Sequence, residues 1–146
     1  MNTTRVERDS IGEKIIPWDA DYGIHTARAA ENFPITGILL RHYPELVQSL
    51  VMVKKAAAQA NRDLGVLKPN IAAAIISACD LLIAGDGLNH FIVDMLQGGA
   101  GTSSNMNVNE VVANVALKLL GRPRGDYTVI NPNDHVNLSQ STNDVY

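Results

Sequence analysis

Two polar segments of the chain carry residue types that could bind a small anion. The first, residues 97–107, reads QGGAGTSSNMN and places three hydroxyl side chains, those of Thr102, Ser103 and Ser104, after three glycines. Glycine lets the backbone approach a ligand closely, and a helix beginning just beyond would present free N–H groups and the positive end of its dipole. The segment therefore suits a carboxylate or a phosphate, although the same residue types are ordinary in loops and helix caps.

The second segment, residues 131–144, reads NPNDHVNLSQSTND and gathers amides, hydroxyls and two aspartates around His135. Histidine titrates near neutrality and could serve as a base, but a lone histidine in a polar loop is more often a surface or hydrogen-bonding residue. Neither segment contains a Walker sequence or a dinucleotide fingerprint. No Cys/His or Asp/His spacing indicates a metal site.

Two helices are predicted ahead of these segments. The first begins at Pro44 and ends at Gly65, and the second begins at Pro69 and ends at Gly85, because proline suits a first turn and glycine a C-terminus. The apolar residues of the first lie at helical spacing: Leu46, Leu50, Val53, Ala57 and Leu64. Its predicted solvent face holds the charged residues Lys54, Lys55, Arg62 and Asp63. The second has the apolar stripe Ile71, Ile75, Ala78 and Leu82.

A third helix is predicted from a variant capping box, Asn107 and Glu110, directly before the run VVANVALKLL, with Gly121 as its stop. Its apolar face would hold Val108, Val111, Val112, Val115 and Leu119. Residues 1–43 are predicted as short extended stretches and turns, and residues 122–134 as a polar loop. The fold class is therefore mainly α with little β structure.

Composition narrows the class of protein. The 146 residues are 46% hydrophobic and 18% charged, which is typical of a globular domain, and a net charge of −3 disfavours nucleic acid and anionic membranes as partners. The apolar runs are too short to span a bilayer. The single cysteine, Cys79, excludes an internal disulfide and is expected to be a buried free thiol, which fits a reducing, cytoplasmic setting.

Taken together, the two segments closely resemble the first two signature regions of the fumarase/aspartase superfamily. Residues 5–37 and 51–65 resemble the same proteins, so the resemblance covers the chain from about Arg5 to Tyr146. Class II fumarases read GSGT, HPND and QSSND where this chain reads GAGTS, NPND and QSTND, and each difference is toward the aspartase pattern. Asn131 stands where fumarases carry the histidine of an accessory dicarboxylate site. This difference puts the presence of the accessory site in this chain in doubt.

The resemblance implies a fold and an activity. Residues 1–146 would form the N-terminal helical domain, truncated before the central helical bundle and the C-terminal domain. The whole protein would be a cytoplasmic homotetramer that needs no cofactor and eliminates ammonia from L-aspartate to give fumarate through an aci-carboxylate. Hydration of fumarate to malate, and a non-catalytic binding or assembly module, are the alternatives.

The resemblance also implies site residues. It assigns contacts with a small dicarboxylate or amino-acid substrate to Thr102, Ser141, Thr142 and Asn143, with weaker supporting roles for Ser103 and Asn105. His135 would be structural or accessory. The catalytic base would be a serine on a mobile loop downstream of Tyr146, so no catalytic residue is expected in this chain and the chain alone should be inactive.

Overall fold

The computed structural model describes residues 3–142, which begin with a two-stranded antiparallel hairpin. Strand β1 (Thr4–Asp9) pairs with β2 (Gly12–Pro17) in a register that sets Glu7 opposite Lys14. Side chains alternate along β1, so that Arg5 and Glu7 are buried while their neighbours are exposed. This hairpin is the only sheet among the described residues, and the prediction of a mainly α chain with little β structure is confirmed.

A short helix that the sequence did not reveal follows the hairpin. Residues 1–43 were expected to hold only extended stretches and turns, but α1 spans Ile24–Asn32. Its start has no local signal, since Gly23 supplies no capping side chain and the first turn has no acidic residue. The groups that cap it come from distant parts of the chain, among them Glu7 of β1, which accepts from the Ile24 N–H at 2.9 Å.

Three longer helices enclose the core. Helix α2 spans Pro44–Asp63 and α3 spans Pro69–Ile83, as the two prolines predicted. Helix α4, Thr102–Leu119, packs against both. Short 3₁₀ turns lie before α2, at Leu40–His42, and between α3 and α4, at Leu88–His90, and a π-helical turn follows α4 at Pro132–Val136. Cys79 of α3 is fully buried, as expected.

The buried face of α2 differs from the predicted one. Leu50 is buried as predicted, but Leu64 is 76% exposed, and the buried stripe runs through Val47, Leu50, Val51, Lys54, Ala58 and Asn61. Lys54, assigned to the solvent face, is only 1% exposed. The prediction was wrong because charge was taken to mean exposure, whereas the helical spacing from Val47 and Val51 places Lys54 in the buried stripe.

Helix α4 starts five residues before the predicted capping box. Gly101, in the left-handed region at φ 77°, precedes Thr102, the first helical residue, and Asn107 lies inside the helix. Glu110 does not cap α4. Its buried carboxylate instead accepts from the backbone N–H groups of Gly23 (2.9 Å) and Thr26 (3.0 Å) at the start of α1.

The interior position of α4 explains its composition. From position 104 to position 117 every side chain except Met106 is buried, and the polar ones hold the surrounding segments. The Asn107 amide, for example, accepts from the Ile92 N–H at 2.9 Å and donates to the His90 carbonyl at 3.0 Å. The predicted apolar face is correct except at Leu119, which is 48% exposed, and the helix ends two residues before Gly121.

None of the helices within residues 3–142 has the length and apolar character needed to cross a membrane.

Candidate functional site

The glycine-rich segment is held against the first turn of α4 by Gln97. Its Oε1 accepts from the Ser104 N–H at 2.8 Å, and its Nε2 donates to Ser104 Oγ at 2.7 Å and to the Asp94 carbonyl at 3.2 Å. Gly99 and Gly101 take φ values of 78° and 77°, which glycine adopts without strain. The backbone therefore turns sharply into α4 and sets Thr102 and Ser103 at the positive end of its dipole.

Thr102 and Ser103 line a cavity of about 290 Å³ between the start of α4 and helix α1. The side facing them includes His25, Arg28 and Phe33. The guanidinium of Arg28 is held by Asp9, with Nε 2.7 Å and Nη2 3.0 Å from its carboxylate oxygens. The hydrogen bond between His25 and Glu110 raises the pKa of His25, which favours its protonated form beside the two hydroxyls. The N-terminus of α4 and protonated His25 favour a small anion here, whereas the charge of Arg28 is already balanced by Asp9, which also lines the cavity.

Asn105, three residues after Thr102 in α4, joins the two polar segments. Its Nδ2 donates to Thr142 Oγ1 at 3.1 Å and to Asn137 Oδ1 at 3.1 Å. The residues assigned from the sequence thus fall into two groups: Asn105 is bonded to Thr142, whereas Thr102 and Ser103 line the cavity beside α1. Ser141, next to Thr142, is exposed, and Asn143 lies outside the described residues.

The second segment opens with a closed hydrogen-bonded turn. Asn131 Oδ1 accepts from the N–H groups of Asn133 (2.8 Å) and Asp134 (3.1 Å). The Asn131 N–H in turn donates to His135 Nδ1 at 2.8 Å. Asn131 and His135 therefore stabilise the turn, which agrees with the structural role expected for His135.

The end of this segment is hydrogen-bonded to Lys54, whose buried position was not predicted from the sequence. Lys54 Nζ donates to Asn105 Oδ1 at 2.6 Å, to Asn137 Oδ1 at 3.0 Å and to Gln140 Oε1 at 3.0 Å. Burial lowers the pKa of this lysine to about 8, since a charged group is disfavoured away from water. The signal that could have found it was a lysine at apolar spacing within α2.

Within the part of the chain that the structure describes, no group of three or more His, Cys, Asp or Glu side chains is placed to hold a metal ion. The polar groups near Thr102 and Thr142 are hydroxyls, amides and cations, together with the carboxylate of Asp9, which is bound to Arg28. These groups bind anionic or hydrogen-bonding ligands.

Comparison with known proteins agrees with this arrangement. A family described as lyase matches residues 12–146. The chain belongs to this lyase family. The lyase chain is 54% identical over 144 residues to an aspartate ammonia-lyase of Pseudomonas aeruginosa, and 56% identical over 147 residues to one from a Bacillus species. These matches cover 99% and 100% of this chain, and the chain spans about 30% of the length of the curated relatives.

Solved structures of related proteins share this fold. A fumarate lyase:delta crystallin of Brucella melitensis is 61% identical with a TM-score of 0.96, over 98% of this chain and 33% of that one. A class II fumarase of Schistosoma mansoni is 39% identical with a TM-score of 0.90, over 97% of this chain and 30% of that one. The resemblance to the fumarase/aspartase superfamily is thereby confirmed.

Proposed function

We propose that this chain supplies substrate-binding groups to an aspartate ammonia-lyase, which eliminates ammonia from L-aspartate to give fumarate. The observation that carries the proposal is the hydrogen bond from Asn105 to Thr142, because it joins the two polar segments in a chain that is 53–56% identical to aspartate ammonia-lyases. The hydroxyl-lined cavity at Thr102 and Ser103 supports it further.

The residues suit the chemistry of the reaction. A base removes a proton from C3, beside the β-carboxylate, and the electron pair moves into that carboxylate to form an aci-carboxylate. The pair then returns to form the C2–C3 double bond as the C–N bond breaks and ammonia leaves. Preorganised donors stabilise the extra negative charge. We assign that work to Thr102, Ser141, Thr142 and Asn143, with Ser103 and Asn105 in support.

The proposal extends to the whole protein. The base is a serine that this chain does not supply, on a loop downstream of Tyr146, and residues 1–146 are the N-terminal domain of a cytoplasmic homotetramer whose subunits share each active site. The coverage of about 30% of the relatives' length supports a larger enzyme, and the buried free thiol of Cys79 fits a reducing compartment.

A class II fumarase is the second candidate, because the Schistosoma mansoni enzyme shares the fold at 39% identity. Three departures argue against it: the GAGTS sequence, Asn131 and Thr142. The higher identity to aspartate ammonia-lyases points the same way.

The test is an assay of the whole gene product for fumarate formation, with L-aspartate and with L-malate as separate substrates. We expect turnover of aspartate alone. Turnover of malate alone would reassign the protein to the fumarases, and turnover of neither by a folded protein would leave a binding or assembly role. The isolated 146-residue chain is expected to be inactive with both.

A further inference from the structure

Lys54 is a buried cation without a carboxylate partner among residues 3–142. Its ammonium group contacts three amide oxygens, whereas the adjacent Lys55 forms an ion pair with Asp80 at the surface of the protein. Buried charges are normally paired, because an uncompensated charge is expensive to remove from water. A lysine kept at 1% exposure with neutral partners leaves its positive charge available to another anion.

The three acceptors of Lys54 connect both polar segments. Asn105 belongs to α4, and Asn137 and Gln140 belong to the segment that ends in Ser141 and Thr142. An ammonium group has three protons, so all three are used and none is left for a ligand. Lys54 can therefore act on a substrate only through the residues it orients and through its charge.

We propose that Lys54 is a positioning residue for the dicarboxylate substrate: it fixes Asn105, Asn137 and Gln140, and it places a positive charge that no carboxylate of residues 3–142 pairs beside the segment leading to Ser141 and Thr142. The inference rests on the proposed function, since it takes these two hydroxyls as substrate contacts. A cation at this depth acts through protein rather than water, so its attraction for an anion is poorly screened. The charge of Lys54 therefore favours the binding of a ligand with two negative charges over a ligand with one.

The experiment compares the binding of two ligands of the same shape to the whole gene product by calorimetry. Succinate carries two carboxylates, and succinamate replaces one of them with an amide. We expect Lys54→Gln, which removes the charge and keeps a hydrogen-bond donor, to lower the preference for succinate over succinamate roughly tenfold. The matched control is Lys55→Gln, which removes a neighbouring surface charge and should leave the preference within about twofold.

Rescue by charge separates this role from simple packing. Lys54→Arg keeps the cation but changes the shape, so a folded Lys54→Arg protein should retain the preference that Lys54→Gln loses. Equal weakening of both ligands in Lys54→Gln, with the preference unchanged, overturns the proposal.

A second variant tests the proposal if proteins with a substitution at Lys54 do not fold. Asn137 Oδ1 accepts from Lys54 Nζ and from the side-chain amides of Asn105 and Asn109, each at 3.0–3.1 Å, so one oxygen of the carboxylate in Asn137→Asp keeps these three donors and its charge neutralises the lysine. The bond from Asn137 Nδ2 to the Gln140 carbonyl is lost in this variant. It should lower the preference for succinate about tenfold, whereas Asn133→Asp, which adds the same charge at an exposed position, should not. An unchanged preference in folded Asn137→Asp overturns the proposal.

The outcomes also separate this inference from the proposed function. A wild-type protein that forms fumarate from aspartate, with variants of unchanged preference, overturns only the role of Lys54. A wild-type protein that forms no fumarate but shows the expected loss of preference overturns only the aspartate reaction. Binding of neither ligand, together with no fumarate formation, contradicts both.

Discussion

Glu110 and His25 are joined by two hydrogen bonds, one from the His25 backbone N–H at 2.9 Å and one from its ring Nδ1 at 3.0 Å, both to Glu110 Oε1. Since Glu110 also accepts from Gly23 and Thr26, and Glu7 accepts from Ile24, four consecutive N–H groups at the start of α1 are bound by two buried carboxylates. A helix start needs acceptors for these groups, and negative charge there is stabilised by the helix dipole. Helix α1 therefore depends on the middle of α4.

The first prediction concerns this cap. Glu110→Gln should destabilise α1, because an amide presents N–H groups where the carboxylate accepts four hydrogen bonds, at a cost of about 2 kcal/mol or more. Amide hydrogen exchange in residues 23–32 of the whole gene product, followed by mass spectrometry, should be roughly 30-fold faster than in wild type. Glu13→Gln, at an exposed position of β2, is the control and should not change the exchange.

The second prediction concerns pH. The hydrogen bond to Glu110 raises the pKa of His25, so its contribution to stability is full below the ordinary pKa of about 6.5 and is lost as the pH rises through the raised value. The His25 side chain is 45% exposed, so the effect should be about 1 kcal/mol or less. The melting temperature of wild type should exceed that of His25→Gln by more at pH ~6 than at pH ~9.

His90 offers a control of opposite sign. Burial lowers the pKa of His90, so its contribution is present above pH ~6.5 and is lost as the pH falls. The difference between wild type and His90→Gln should therefore grow as the pH rises. The same pH trend in both variants would contradict the explanation.

The third prediction tests the cavity at the start of α4. Thr102→Val keeps the size of the side chain and removes the hydroxyl, so it should lower kcat/KM for L-aspartate in the whole gene product by at least tenfold, on the scale of one oxyanion donor. Thr128→Val removes the hydroxyl of an exposed threonine that bonds to Asp126, and kcat/KM should stay within about twofold of wild type. Normal kinetics for Thr102→Val would remove Thr102 from the proposed substrate contacts.

The fourth prediction concerns Cys79. Burial raises the pKa of its thiol to about 12, and the reactive species of a cysteine is the thiolate. We expect no alkylation of Cys79 by iodoacetamide in the folded protein at neutral pH, and complete alkylation after denaturation, as measured on its peptide by mass spectrometry. Rapid labelling of the folded protein would show that α3 opens from the core.

Features that depend on neighbouring residues alone, such as the starts of α2 and α3, were predicted correctly from the sequence. Pro44 and Pro69 marked the first turns of α2 and α3 because the ring suits that position whatever surrounds it. The family signatures located Thr102 and Ser141 in the sequence, but the cavity that Thr102 lines beside α1 and the bond from Asn105 to Thr142 emerged only in three dimensions.

The partners of the buried polar groups could not be predicted from the sequence. Glu110 looked like a cap for its own helix because Asn-x-x-Glu is a local pattern, but its partners lie 84–87 residues away. Lys54 was assigned to solvent because a charge is usually exposed, and only the partners brought together from α4 and the second segment make its burial affordable.

The anchoring of residues 137–142 also sets an order of events during folding. Their hydrogen bonds reach back to Lys54 and Asn61 of α2 and to Asn105 of α4, across 32 to 86 positions of the chain. We expect contacts of such separation to form after the local turns of the helices, because a long loop must close first. A ribosome releases α2 and α4 before it releases this segment. Among the residues that form these bonds, Thr142 is therefore the last to leave the ribosome.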